Sequence, residues 1–263
     1  MDTPIYTKEK LIQKLLEIKQ MGWIEGGRPG NDGSVGNTLE DLLGIKENNL
    51  PIPNAAEWEL KCQRIQGSSR TTGFHIEPSP RALHLVPNLL LKNYGWPHKE
   101  AGIKYPADEM SFRMTMNAVN RTDRGFGIVI NDAERKVEVS FDAKSVHPRH
   151  KEWLDSVEKR IGLEELNPQP YWGFDDLFHK VGNKLHNCFY ILADCKQENG
   201  IEYFRYSKIC KLSQFDESKL IDAIRKGILI AEFDARTGHN HGAKFRFNKG
   251  NLPEFYKFVE IFE

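Results

Sequence analysis

Residues 54–63 read NAAEWELKCQ. Glu57, Glu59 and Lys61 alternate. A β-strand repeats every two residues, so a strand here sends two carboxylates and an ammonium to one face, with Leu60 packing behind them. A proline-containing turn, ENNLPIPN (47–54), leads in, and a polar loop, GSSRTTG (67–73), leads out. An E-x-K tripeptide standing alone is ordinarily a solvated strand face. This one lies between an acid-bearing helix upstream and a Ser/Thr/Arg loop downstream, whose hydroxyls and guanidinium suit phosphate oxygens.

Phosphodiester hydrolysis calls for a divalent cation, an activated water and a positive group near the developing charge. Mg²⁺ takes one or two carboxylates and completes its shell with waters and phosphate oxygens. Glu59 and Lys61 supply a carboxylate and an ammonium in one cleft. A second carboxylate at the start of the strand would complete the metal site, and Asn54 holds that place.

Outward from this strand, TKEKLIQKLLEIKQM (7–21) predicts an amphipathic helix, with Thr7 as N-cap, a Leu11/Leu15/Ile18 stripe and Gly22 as the stop. EGGRPGNDGSVG (25–36) matches no phosphate-binding glycine motif and reads as a loop. TLEDLLGI (38–45) predicts a short helix with Thr38 near its start and Leu39, Leu42 and Leu43 inward. A hairpin is expected over 125–141, turning near Asn131-Asp132. NCFYILAD (187–194) and IEYFRYSKI (201–209) read as paired strands, ESKLIDAIRKG (217–227) as a helix, and 228–236 and 243–248 as two further strands. Together they predict an α/β chain with a mixed sheet flanked by helices, largely one unit, with room for a subdomain around 75–150. RTGHNHG (236–242) reads as a loop between strands; its two His lack an apparent third zinc ligand. Tyr171 and Trp172 read as packing residues, and His75 and His84 as solvated turn residues.

The 263 residues are 39 % hydrophobic and 28 % charged with a formal net charge of +0, so no overall basic field announces nucleic acid, although one face can still be basic. No run is apolar enough to cross a membrane, and MDTPIYTKEK has no signal core, so the expected location is cytoplasmic. Cys62, Cys188, Cys195 and Cys210 form no CxxC pair and are expected as reduced, mostly buried thiols.

The order TLEDLLG, PIPN, EWELK, TTGFHIEP, followed in the tail by KLHNCFYILADCKQENGIEYFRY, LIDAIRKGILIAEFDAR and NHGAKFRF, resembles the MvaI/BcnI-type restriction endonucleases and their relative MutH, within the PD-(D/E)xK nucleases. The likeness covers both ends of the chain and leaves roughly 85–165 unmatched. It implies a restriction-endonuclease-like fold with a catalytic part at about 1–85 and a DNA-recognition part at about 165–263. It implies that Glu40 is the upstream acid ordering the site, Glu59 a metal ligand, and Lys61 the lysine that orients the water. Asn54 stands where the family has its first metal-binding Asp. Ser69, Arg70, Thr71 and Thr72 would meet phosphates, while Asp234, Arg236, His241, Lys244 and Arg246 would face DNA, a residue mix that suits a G·C-rich site.

The implied activity is a sequence-specific, Mg²⁺-dependent type II cleavage of double-stranded DNA by a monomer, with a cognate DNA methyltransferase as genetic partner. Asn54 removes one negative charge from the metal site. It is either a replacement that disables cutting or the drift of a natural site, with Glu57 a third candidate ligand. Two alternatives stay open: a MutH-like nicking endonuclease of mismatch repair, and a DNA-binding protein without catalysis.

Overall fold

A computed structural model describes residues 6–27, 33–45, 58–66, 70–248 and 250–262. The first helix, α1 (Lys8–Gln20), starts where Thr7 accepts a hydrogen bond from the Lys10 N–H at 3.3 Å, and it buries Leu11, Leu15 and Ile18 as the stripe predicts. After a two-residue strand, β1 (Ile24–Glu25), comes α2 (Ser34–Leu42). It begins four residues before the expected start, so Thr38 is a buried mid-helix residue and not a cap. Its Oγ1 instead accepts from the Gly27 N–H at 3.1 Å. Packing explains the difference. Val35 and Leu39, four residues apart, are both buried, and a Cβ on Gly36 would stand only 4.0 Å from that of Cys62.

Next come β2 (Glu59–Arg64) and β3 (Thr71–His75). The expected loop 67–73 is therefore shortened. Thr71 to Gly73 continue as strand, and Gly73 lets Phe247 approach to where a Cβ would lie 2.7 Å from its ring. The middle of the chain holds a π-helical turn at Val86–Leu91 running into α3 (Lys92–Tyr94), then β4 (Trp96–Pro97), β5 (Met110–Met116), β6 (Arg124–Asn131), β7 (Lys136–Val146), α4 (Lys151–Ile161) and β8 (Tyr171–Gly173). The β6–β7 hairpin is the one expected, closing on Asn131 opposite Lys136. The remainder is α5 (Phe174–Leu185), β9 (Asn187–Glu198), β10 (Ile201–Phe215), α6 (Ser218–Arg225), β11 (Leu229–Arg236), β12 (His239–Phe247) and β13 (Tyr256–Phe262).

The chain forms two compact units, each assembled from separated segments. Unit 1 comprises residues 1–71, 181–217 and 249–263; unit 2 comprises 72–180 and 218–248. Unit 1 is a five-stranded sheet in the order β1-β10-β9-β2, with β13 also on β10. β2 lies parallel to β9, and the other pairs are antiparallel. One face carries the apolar core of Leu11, Leu15, Leu39, Leu60, Phe189 and Phe204 among others.

Unit 2 holds two sheets, β3-β12-β11-β5-β4 and β6-β7-β8. Aromatic rings link them in an unbroken series of contacts: Trp172 with Phe233 and Phe245, Phe233 with Phe112, Phe112 with Phe126, and Phe126 with Phe141. Trp172 is fully buried, and its Nε1 donates to the Ile76 carbonyl at 3.0 Å, which makes it the packing residue expected. No helix among the described residues is long and apolar enough to cross a membrane. All four cysteines are free thiols, Cys188 and Cys210 buried and Cys62 and Cys195 partly so.

Candidate active site

β2 alternates as its sequence requires. Leu60 packs into the core of unit 1, and Glu59, Lys61 and Gln63 take the other face. β2 reaches this position because β9, distant in sequence, accepts it in parallel register with Glu59 beside Cys188 and Lys61 beside Tyr190. Gln63 is fixed by two hydroxyls: Thr71 donates to its Oε1 at 3.0 Å, and Tyr190 donates to the same oxygen. Burial pushes the Tyr190 phenol up to about 12, so it stays a donor at every physiological pH.

Glu59 is 1 % exposed. A carboxylate in such a place costs several kcal/mol unless cations or donors surround it. Lys61 Nζ lies 2.6 Å from its Oε1, and Lys184 Nζ, in the last turn of α5, lies 3.7 Å from the same oxygen. The other oxygen, Oε2, is buried with no hydrogen-bond partner among the described residues. Both ammonium groups thus gather on one carboxylate oxygen, and the second meets no partner among the described residues. Glu40, half-buried on α2, is close enough to Cys62 that its charge is among the influences raising that thiol, after burial itself.

The expected residues distribute as follows. Glu59 and Lys61 are in contact, and Asn54, Glu57 and Ser69 lie outside the described residues. Arg70 is exposed, and the buried Thr71 commits its hydroxyl to Gln63. Among the described residues no group of three or more His, Cys, Asp or Glu side chains is placed to hold a metal. Lys184 is the contact missed in the sequence. It is separated from Glu59 by nearly half of the chain, and no local pattern marks it.

The other expected group lies in unit 2 on the sheet β5-β11-β12. Phe112, Met114, Ala231, Phe233, Ala235, Phe245 and Phe247 point into the core. The alternate positions form a polar face of Arg113, Glu232, Asp234, Arg236, Lys244 and Arg246, and ion pairs hold its cations. Arg246 pairs with Glu232 at 2.8 Å, and Arg236 with Glu109 at 3.0 Å. Arg113 and Lys244 flank Asp234 at 3.8 and 4.0 Å.

His239 and His241 belong to β12 and not to a loop, which corrects the reading of 236–242. The turn needs only Thr237 and Gly238 (φ +68°), and β12 carries one extra residue between the Phe233–Ala243 and Ala235–Asn240 pairs. Gly242 (φ +76°) takes the left-handed conformation in that bulge. The two imidazoles meet with Nε2 atoms 3.0 Å apart.

A family model described as the MvaI/BcnI restriction endonuclease family matches residues 12–256. The chain belongs to this family. Its enzyme class is that of a type II site-specific deoxyribonuclease, as the resemblance of its two ends implied. Among solved structures, restriction endonuclease MvaI in complex with its cognate DNA substrate superposes with a TM-score of 0.77 at 22 % identity, covering 97 % of this chain and 99 % of the other. MvaI in the absence of DNA gives 0.52 at 21 % identity, covering 99 % of each. At these identities the likeness establishes the fold, which is of the PD-(D/E)xK type. Among curated proteins none matches the chain. The family match includes the middle segment that the sequence reading left unmatched.

Proposed function

We propose that the chain is a sequence-specific double-stranded DNA endonuclease that uses Mg²⁺, acts as a monomer, and is held inactive or nearly so by Asn54. Unit 1 carries the chemistry and the polar face of unit 2 reads the DNA. The observation that carries the reading is Glu59: a buried carboxylate with one oxygen held by two ammonium groups and the other without a partner among the described residues. Such an oxygen is the donor a hard divalent cation takes, so the residues present fit the metal. Glu59 Oε2 and position 54 would hold it, and when bound it supplies Lewis-acid polarisation of the phosphoryl group.

The chain's own residues do the rest. Lys61 is held beside Glu59 while its side chain keeps some exposure, so its ammonium can orient a water and then sit against the charge growing on the phosphoryl oxygens. Lys184 offsets the remaining charge of Glu59. Glu40 supports the site from α2. Asn54 offers a neutral oxygen where Asp offers a charged one, which weakens cation binding. The face bearing Asp234, Arg236, His241, Lys244 and Arg246 combines acceptors for cytosine N4 with forks for guanine. The DNA in the MvaI complex supports duplex DNA as the partner here. A cognate methyltransferase, as the genetic partner protecting host sites, completes the proposal.

The test is digestion of a large, sequence-diverse plasmid with Mg²⁺ by this chain and by its Asn54→Asp variant. Discrete fragments from the variant alone are expected. Salt-dependent binding by both without cleavage by either would replace the enzyme with a DNA-binding protein.

A further inference from the structure

We propose that a cleft in unit 2, outside the residues discussed above except Arg113, binds one backbone phosphodiester of the duplex. The inference rests on the DNA reading just given. The cleft, about 400 Å³, is lined by Trp96, Arg113, Asp123, Arg124, Arg149 and His150 among others. Three guanidiniums therefore face one carboxylate, Asp123, which pairs with Arg149.

His150 holds two of them together. Arg149 Nε donates to His150 Nε2 at 3.3 Å, and Arg124 Nη1 lies 3.5 Å from the same nitrogen. Accepting there requires a neutral ring with its proton on Nδ1. Burial, Arg124 and Arg149 all lower its pKa.

Arg124 is further clamped between indoles, its guanidinium carbon 4.1 Å from the Trp96 ring centre and 5.3 Å from that of Trp153. Its Nε is buried without a hydrogen-bond partner among the described residues. The rings thus hold this cation in place while its Nε is left uncommitted among the described residues. Guanidinium forks match the oxygens of a phosphate.

Position selects a backbone phosphate over a free one. Arg113 belongs both to the cleft and to the polar sheet face, where it stands 3.8 Å from Asp234. β4, which carries Trp96, is two strands from β11, which carries Asp234 and Arg236. Two strand spacings are roughly 10 Å. The major groove is roughly 12 Å wide. A duplex whose base edges meet β11 therefore brings its flanking backbone to β4 and the cleft.

The test is binding of a fluorescein-labelled duplex without divalent cation over about 50–200 mM salt. It compares the chain with Arg113→Gln, Arg149→Gln, the double variant, and Arg225→Gln on α6, which pairs with Asp132 away from the cleft. Arg113 and Arg149 side chains are 72 % and 60 % exposed, so their replacement leaves the fold intact.

The expected result is a log–log salt slope reduced by about 0.9 in the double variant, one phosphate's worth, for every duplex sequence, with Arg225→Gln unchanged. An unchanged slope in the double variant, with the parent chain binding normally, overturns the inference alone. So does a loss confined to one sequence, which marks base readout. So does an unchanged slope together with stabilisation by millimolar inorganic phosphate that the double variant lacks, which marks a small-anion site. If the parent chain itself binds duplex without salt dependence, the DNA reading fails and the inference falls with it.

Discussion

Glu59 and Lys61 sit where the period of two places them, and their contact was legible because it is local: residues two apart on a strand share a face. The partner on Oε1 from the far side, Lys184, was not legible, because the β2–β9 pairing that brings α5 here is decided by the whole sheet. With the proposed mechanism, Lys61→Met in the Asn54→Asp background lowers the cleavage rate by about 10²-fold or more. It leaves the fragment pattern unchanged, as timed digests would record; an unslowed digest contradicts its role. His150 offers a second check. A base whose pKa falls on folding adds stability that is present above its unfolded pKa of 6.5 and is lost as pH falls through the lower folded value. The groups on it are Arg124 and Arg149 in contact and His147 nearby, all cationic or becoming so. Its imidazole proton signals should therefore titrate below 6.5 by NMR, and Arg149→Gln should move the midpoint upward; a midpoint at or above 6.5 in the parent contradicts the arrangement.

Among the elements, α1 was legible from end to end, because a capping Thr, an apolar stripe and a terminal Gly all agree. α2 was misjudged at its start, since Gly36 and Asn37 are poor helix formers and only the buried Val35 and the nearby Cys62 make them helical. The strand ends expected at Asp194 and Ile201 left a longer connection than the β9–β10 turn needs, which is two residues. Asn199 and Gly200, at φ +51° and +80°, close it in the manner of an Asn-Gly hairpin. The same excess of loop hid the His pair on β12, where Gly242 marks a bulge inside a strand and not its end. That glycine gives a test. A Cβ there would stand 2.2 Å from Glu77 Oε1, in a left-handed backbone. Burial raises the pKa of the Glu77 carboxyl, while bonds from Ala243 and Asn240 hold the group in place. Gly242→Ala should cost about 1–3 kcal/mol, read by chemical denaturation; an unchanged midpoint would mean that Glu77 moves aside freely. In α1, Leu15→Ala should cost about 2–5 kcal/mol by the same measurement, since Leu15 is 1 % exposed.

For the whole molecule, the mixed α/β character and the likeness at both ends were readable, whereas the plan of two units was not. Unit 1 draws on three separated segments and unit 2 on two, so no composition shift or linker marks a boundary. The unmatched middle also holds the arginine cleft of unit 2 and part of its aromatic series, Phe112, Phe126 and Phe141, built from contacts between residues distant in sequence. A monomer of 30.3 kDa is expected by sedimentation, with one copy added per duplex; two copies per duplex contradict the monomer proposal. The central claim concerns Glu59 Oε2 as a metal-binding oxygen, and the most direct measurement is plasmid digestion in Mg²⁺ by Asn54→Asp and by Asn54→Asp/Glu59→Gln side by side. The account predicts discrete fragments from the first and intact plasmid from the second, with both binding duplex alike. Equal cutting by both would contradict it and move the metal away from β2.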